Sequence, residues 1–165
     1  MKKPIEIYPA KIKDTIGIFL VQRTVWLATY PNKEFGVTRN WIKAHFSDKK
    51  KRVARWRKGV RESKDSCVWV AKEGKRVVGF CEALKMKKHR IGTIYILPKY
   101  QHRGIGQALM TQALNWFGKQ RNIYVGVAPY NTKAINFYKK FGFKIKGPVE
   151  TGQLPEIEMV RKARP

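Results

Sequence analysis

The sequence predicts a single domain over residues 1–165 that combines helices and strands, α/β in the broad sense and α+β in the narrower one. At 165 residues, the chain is long enough for one substantial core and short for two. Hydrophobic residues at 43% and aromatic residues at 12% indicate a folded globule rather than a disordered chain. Strand-like and helix-like segments also alternate along the chain without repeats, low-complexity tracts or linkers.

The N-terminal third is predicted to be mainly helical. Ile5–Tyr8 is a first strand, and a helix runs from Lys11 to about Ala28 before Pro31 closes it. The apolar positions of this helix include Ile12, Ile16, Phe19, Leu20 and Leu27. A shorter helix follows from about Thr38, a candidate N-cap, to Phe46. The highly charged segment Asp48–Asp65 is also predicted to be helical, with Val53, Trp56 and Val60 marking its buried edge.

The remainder alternates strands with two helices. The predicted strands are Cys67–Ala71, Arg76–Leu84 after a hairpin turn at 73–75, Thr93–Leu97 after a turn at 89–92, Ile123–Val127, 143–147 and 157–160. Apolar residues at helical spacing predict one helix from Ile105 to Phe117. Asn131 as N-cap and Gly142 as stop signal predict the other.

A glycine-containing turn separates the strand closed by Pro98 from the helix at Ile105. It reads Gln101-His102-Arg103-Gly104-Ile105-Gly106. A helix N-terminus carries unpaired N–H groups and partial positive charge, so this turn suits a phosphate. No Gly-Lys-Ser/Thr follows, which excludes the Walker pattern, and Leu109 stands where a dinucleotide fingerprint needs its third glycine.

Two motifs together carry a family resemblance. The order strand-Pro-Gln-x-x-Gly-x-Gly-helix resembles the acetyl-CoA loop of the GNAT superfamily of N-acetyltransferases. The segment Asn131-x-x-Ala-x-x-Phe-Tyr138-x-x-x-Gly-Phe143 is similar to the last helix of that family. The resemblance implies a mixed, mostly antiparallel sheet of about six to seven strands, splayed between strands 4 and 5 and flanked by about four helices.

The same resemblance implies an acetyl-CoA-dependent N-acetyltransferase. Acetyl-CoA is the expected donor cosubstrate, and Tyr138 the expected acid that protonates the leaving thiolate. The residues expected to hold the cofactor, besides Tyr138, are Ile94, Tyr95 and Ile96 for the pantetheine arm, Gln101, His102, Arg103, Gly104, Ile105, Gly106 and Gln107 for the pyrophosphate, and Asn131.

The general base stays open at this point. Gly126 stands where ribosomal-protein alanine acetyltransferases carry a glutamate, five residues before Asn131, which argues against that type of enzyme. Glu82 on the preceding strand is a candidate catalytic residue, although an outward, solvated Glu82 is an equal alternative. Tyr95 acting through an ordered water is a further candidate.

The acceptor amine is also open. Trp26-x-x-Thr-Tyr30 resembles a segment near the acceptor groove of polyamine-type acetyltransferases, which makes Trp26 and Tyr30 candidate substrate-binding residues; packing as core aromatics is the alternative. A cationic protein repels a polycation at long range, unless a local acid cluster compensates. The acids available for one are Glu34, Glu82, Glu150, Glu156 and Glu158. A protein or peptide amine is the other class of acceptor.

The net charge of +25 concentrates in two blocks, Lys49–Arg61 and Lys85–Arg90. They serve either as a solvated surface that attracts the cofactor, or as a dock for an acidic or nucleic-acid-containing partner. The alternative function is therefore a basic nucleic-acid- or ribosome-associated protein that keeps acetyl-CoA only as a ligand. Neither a membrane-spanning run nor a signal peptide is apparent, so a cytoplasmic location is expected. The cysteines and histidines show no metal-ligand spacing, and a homodimer is left open.

Overall fold

The computed structural model describes residues 4–61, 63–150 and 154–164. Seven strands form one sheet: Ile5–Pro9 (β1), Ser66–Glu73 (β2), Arg76–Lys85 (β3), His89–Ile96 (β4), Ile123–Val127 (β5), Lys144–Val149 (β6) and Glu156–Arg161 (β7). Five α-helices occur in the described chain: Thr15–Thr29 (α1), Arg39–His45 (α2), Lys49–Gly59 (α3), Ile105–Phe117 (α4) and Thr132–Lys140 (α5). The predicted fold class is confirmed, with one helix more than the expected four.

The strands are ordered β1-β2-β3-β4-β5-β7-β6. All neighbours are antiparallel except β4 and β5, which run parallel. Helices cover both faces of the sheet. On one face, Trp56 of α3 packs edge-on against Phe80; on the other, Trp116 of α4 packs against Trp69.

Three predicted boundaries were wrong. The first helix, predicted from Lys11, begins at Thr15 after a 3₁₀ turn at Ile12–Asp14. The charged segment Asp48–Asp65 is helical only from Lys49 to Gly59, because glycine lacks the side chain that favours helix continuation; residue 62 lies outside the described residues. The turn placed at 89–92 lies instead at 86–88, and β4 begins at His89. The pairing of His89 with Lys85 and with Ile123 holds these residues in the sheet.

The predicted apolar positions of the first helix do not all face the core. Ile12, Ile16 and Leu20 are 52%, 45% and 49% exposed, whereas Ile18, Phe19, Val21, Val25 and Trp26 are buried. Helix α1 is apolar on more than one side, so the periodicity alone did not identify the face that packs on the sheet.

The predicted splay between the fourth and fifth strands is confirmed. Strands β4 and β5 pair only at His89–Ile91 with Ile123–Val125, although β4 continues to Ile96 and β5 to Val127. Beyond Ile91 the two strands therefore diverge and leave a wedge-shaped opening in the sheet. No helix among the described residues combines the length and apolar character needed to cross a bilayer.

Candidate active site

A cavity of about 1130 Å³ occupies the opening between β4 and β5. On its β4 side, residues 92–96 have no strand partner toward β5. The Leu97 N–H donates to the carbonyl of Val78 on β3 at 2.9 Å. Since alternate residues of a strand direct their backbone groups to opposite neighbours, Ile94 and Ile96 face the opening and the Tyr95 backbone faces β3. The predicted pantetheine contacts therefore reduce, for backbone groups, to Ile94 and Ile96.

The turn before α4 has the geometry of an anion site. His102 and Gly104 adopt left-handed backbone conformations, with φ of 60° and 76°, and no side chain caps the helix N-terminus. The first-turn N–H groups of α4 thus lack a partner within the helix. A Cβ at Gly106 would lie 3.2 Å from the Ile96 side chain and 3.3 Å from that of Phe137, so glycine keeps this approach open. The arrangement fits the pyrophosphate of coenzyme A.

The side chains of this turn do not all reach the cavity. Gln101, His102, Gly104, Gly106 and Gln107 line it. The Gln101 amide donates to the Ile96 carbonyl at 3.1 Å, which fixes the turn to the end of β4. The Arg103 guanidinium stacks on Tyr100, with its Cζ 5.2 Å from the ring centroid, and the Ile105 side chain is buried in the core. The Arg103 side chain can therefore add only long-range charge, and the Ile105 side chain does not reach the cavity. Both residues can still offer a backbone amide.

Asn131 and Tyr138 lie on the opposite side of the cavity. The Asn131 Oδ1 caps α5 by accepting from the Ala134 N–H at 3.2 Å, which leaves its NH₂ group as the donor for a ligand. The Tyr138 ring is 6% exposed and packs between Phe137 and Phe143. Burial, reinforced by nearby acidic groups, holds the pKa of Tyr138 well above its ordinary value. Tyr138 is therefore a neutral phenol that can donate a proton.

An aromatic wall closes the α1 side. The Trp26 indole N–H donates to the Tyr95 hydroxyl at 3.0 Å, and the Tyr30 and Tyr95 hydroxyls are hydrogen-bonded at 3.2 Å. Burial raises the pKa of Tyr95 to about 12, which makes it a poor base at neutral pH. His45 stacks between Trp26 and Trp41, and burial, with the Arg52 and Arg55 charges, lowers its pKa. Trp26, Tyr30 and Tyr95, the aromatic residues predicted for the site, all line the cavity.

Two carboxylates approach the opening from the sheet. The Glu82 carboxylate lies directly over Gly92, in the space that a Cβ would take there, but Glu82 is not among the cavity-lining residues. Burial raises the pKa of Glu82, and Arg55 opposes that shift. Glu156 lines the cavity. Burial raises the pKa of Glu156 too, with Arg90 opposing.

The structure adds cavity residues that the sequence reasoning missed. The Thr93 hydroxyl is buried with no partner among the residues the structure describes, and it lines the cavity; such an orphan marks a place where a water or ligand atom completes a hydrogen bond. Thr93 lies directly opposite Glu82 in the sheet. The sequence alone could not show this, because it depends on the strand register. Arg52 and Arg55 of the first basic block also reach the cavity.

Trp56, within that first basic block, is a core residue. It is 6% exposed, and its indole N–H donates to the Gln22 side chain at 3.1 Å. It cannot stack on a nucleic-acid base without leaving the core. The predicted place of Trp56 on the buried edge of that helix is therefore confirmed.

Comparisons with known proteins agree with this geometry. The model of the acetyltransferase (GNAT) family matches residues 26–143. An uncharacterised N-acetyltransferase of Methanocaldococcus jannaschii is 32% identical over 113 residues, which are 62% of this chain and 50% of that protein. An N-alpha-acetyltransferase of Sulfurisphaera tokodaii is 37% identical over 62 residues, 36% of this chain and 37% of that one. The chain thus spans about half or less of the length of these curated relatives.

A solved structure extends the likeness to nearly the whole chain. The PaiA N-acetyltransferase from Thermoplasma acidophilum, in complex with coenzyme A, superposes with a TM-score of 0.71 at 25% identity. The superposition covers 98% of this chain and 99% of that one. The family model matches well over half of the chain, the sheet is splayed between β4 and β5, and helix α4 has no side-chain cap at the glycine turn. This chain therefore belongs to the GNAT family of acetyltransferases.

Proposed function

We propose that the protein is an acetyl-CoA-dependent N-acetyltransferase whose acceptor is the amine of a peptide or protein. The observation that carries the proposal is the joint presence, around one cavity, of an uncapped helix N-terminus, an unpaired strand edge and the buried phenol of Tyr138. Bound acetyl-CoA would supply an acetyl group activated as a thioester. The amides of the 102–107 turn would hold its pyrophosphate, and Ile94, Ile96 and Asn131 would hold its arm.

Tyr138 is the residue we assign to the leaving group. Its phenol stays protonated across the working pH range because burial raises its pKa. It therefore has a proton to give when the C–S bond breaks, and solvent can restore that proton afterwards. A phenylalanine at this position would keep the packing against Phe137 and Phe143 while it removes the donor.

The charge around the cavity favours a peptide acceptor over a polyamine. Four cationic side chains line it, Arg52, Arg55, Lys133 and Lys140, against the single carboxylate of Glu156 among the described lining residues. Such a rim repels a polycation and attracts an acceptor whose amine is flanked by carboxylates. The cationic field also lowers the pKa of a bound ammonium, which favours the neutral amine. The relative from Sulfurisphaera tokodaii is named an N-alpha-acetyltransferase, which agrees with an α-amine as acceptor.

Release of free thiol from acetyl-CoA tests the proposal. The panel consists of peptides of one length with acidic or basic residues around a free α-amine or lysine, together with spermidine. We expect the acidic peptides to give the highest kcat/KM. We expect Tyr138→Phe to lower kcat by about 10²-fold or more, with the KM for acetyl-CoA changed much less and the melting temperature retained.

Other outcomes would redirect the assignment. Preferential turnover of spermidine would overturn the peptide acceptor and restore the likeness of Trp26 and Tyr30 to polyamine enzymes. Tight binding of acetyl-CoA without transfer to any acceptor would favour the alternative function, in which the basic protein holds acetyl-CoA as a ligand. Salt-sensitive retention on RNA would then be expected.

A further inference from the structure

The carboxylate of Glu156 lies against the backbone of Gly126. A Cβ built on Gly126 would collide with Glu156 Oε2 and stand 3.0 Å from its Cδ. A side chain at residue 126 would therefore displace this carboxylate, which is the far end of a flexible side chain. The φ of Gly126 is not in the left-handed region, so the backbone conformation does not require glycine here; what glycine provides is the space that the Glu156 carboxylate occupies.

The sheet register explains how Glu156 reaches this position. Gly126 on β5 pairs with Glu158 on β7. Residues 156 and 158 share one face of β7 because side chains alternate along a strand, so Glu156 approaches Gly126 on the diagonal. Its neighbour Glu158 is engaged differently, in ion pairs with Lys146 at 3.0 Å and Lys88 at 3.6 Å. The carboxylate over Gly126 is thus held apart from that ion-pair cluster.

We propose that Glu156 is the general base that takes the proton from the attacking amine. Its side chain extends from β7 and occupies the space above Gly126 that a side chain of β5 would otherwise fill. This inference rests on the proposed acetyltransferase function. As the nitrogen forms its bond to the acetyl carbon and the C–S bond breaks, one nitrogen proton passes to the Glu156 carboxylate. Tyr138 gives one proton to the departing sulfur, and solvent returns Glu156 and Tyr138 to their starting states.

The groups around Glu156 suit this role. It faces the cavity together with the phenols of Tyr30, Tyr95 and Tyr138, each of which feels its charge. Arg90 on β4 favours its ionised form, while burial disfavours it more strongly and raises its pKa. A carboxylate of raised pKa is a stronger base than one in water.

Glu82 is the competing candidate. Its carboxylate lies over Gly92, two strands away from β7 and on the Arg55 side. It does not line the cavity, whereas Glu156 does. Access to the cavity therefore favours Glu156, and the two glutamates can be compared directly by the same substitution.

The test compares the pH profiles of kcat/KM for Glu156→Gln, Glu82→Gln and the wild type, with whichever acceptor the wild type uses. For Glu156→Gln we expect a loss of about 10²-fold at pH 7 that shrinks as the pH rises to 9.5, because hydroxide can then accept the nitrogen proton in place of the Glu156 carboxylate. Glu158→Gln is the matched control, an acid two residues along the same face and outside the cavity. It should keep the wild-type profile.

A carboxylate transplant gives an independent check. Glu156→Ala clears the space over Gly126, and adding Gly126→Glu in that background returns a carboxylate to the same place from β5. We expect the double variant to regain at least tenfold over Glu156→Ala. Gly126→Glu alone should be impaired, because its side chain collides with Glu156. Melting temperatures verify that each variant is folded.

The outcomes separate two failures. A loss in Glu156→Gln that is equal at every pH, a loss smaller than threefold, a pH-dependent loss confined to Glu82→Gln, or a folded double variant no better than Glu156→Ala would each overturn the assignment of the base. In all these cases the wild type still transfers acetyl groups and Tyr138→Phe still impairs it. A wild type that transfers to no acceptor would instead remove the proposed function, and the base with it.

Discussion

The hydroxyl of Tyr95 links the aromatic wall of the cavity to the sheet, and Tyr95→Phe would break that link. It accepts the buried indole N–H of Trp26 at 3.0 Å and is hydrogen-bonded to Tyr30 at 3.2 Å. Trp26 and Tyr30 are only 7% and 9% exposed. Phenylalanine preserves the ring contacts of Tyr95 with Phe80 and Tyr30, so the change isolates the hydrogen bonds.

The magnitude follows from what the substitution leaves behind. The Trp26 N–H loses its only acceptor among the described residues and stays buried, at a cost of about 1–3 kcal/mol. The Tyr30 hydroxyl loses one partner worth about 1 kcal/mol. The sum is about 2–4 kcal/mol, and at about 2–4 °C per kcal/mol for a chain of this size the melting temperature should fall by roughly 4–16 °C. Tyr30→Phe should cost only about 1 kcal/mol, because the Tyr95 hydroxyl still accepts the Trp26 N–H.

Denaturant titration of Tyr95→Phe, Tyr30→Phe, Trp26→Phe and the Trp26/Tyr95 double variant measures these terms. The Trp26–Tyr95 cycle should give a coupling energy of about 0.5–3 kcal/mol. The order of the two tyrosine variants is the sharp part of the expectation. Equal destabilisation by both, or a larger effect of Tyr30→Phe, would refute the view that Tyr95 is the hub of this network.

Two further perturbations have expected outcomes. Lys72→Met breaks the buried pair with Asp14, where the ammonium lies 2.7 Å from the carboxylate, and should cost about 3 kcal/mol in chemical denaturation at pH 7. The hydrogen bond to Asp14 raises the pKa of Lys72, so its stabilisation is complete below its unfolded pKa of about 10.4 and is lost as pH rises through the higher folded value; the variant should lack this alkaline decline. Raising NaCl from about 0.05 to 0.5 M should increase the KM for acetyl-CoA severalfold by screening the cationic rim, and an unchanged KM would contradict that role for the charge.

The fold was predictable from the sequence because local signals agreed. The strand closed by Pro98, the glycine turn and the periodic helix from Ile105 to Phe117 each have a local physical cause. The structure reproduces the bounds of this helix, whereas β4 begins at His89, four residues before the predicted strand. The splay followed from resemblance rather than from any single residue. The end of α3 at Gly59 was missed because a run of charged residues carries almost no periodicity.

The site was only partly predictable, since it depends on strand register. Nothing local to Glu156 distinguishes it from Glu150 or Glu158; only the diagonal from β7 to β5 brings it over Gly126. The sequence did show that Gly126 lacks the expected glutamate, but not that another strand fills the space. The unpartnered hydroxyl of Thr93 is equally a product of folding.

The cationic surface and the buried carboxylate have opposite effects on protons, and their combination suits amine chemistry. A net charge of +25 lowers the pKa of a bound ammonium, which helps the amine lose its proton, but the same field would weaken any carboxylate base by lowering its pKa as well. Burial corrects this at one point. Glu156 is desolvated strongly enough that its pKa is raised despite Arg90, whereas the pKa of Glu158, which burial also pushes upward, is lowered by Lys146 and Lys88. Two glutamates on one face of β7 thus differ in basicity, because desolvation dominates at Glu156 and the lysine charges dominate at Glu158.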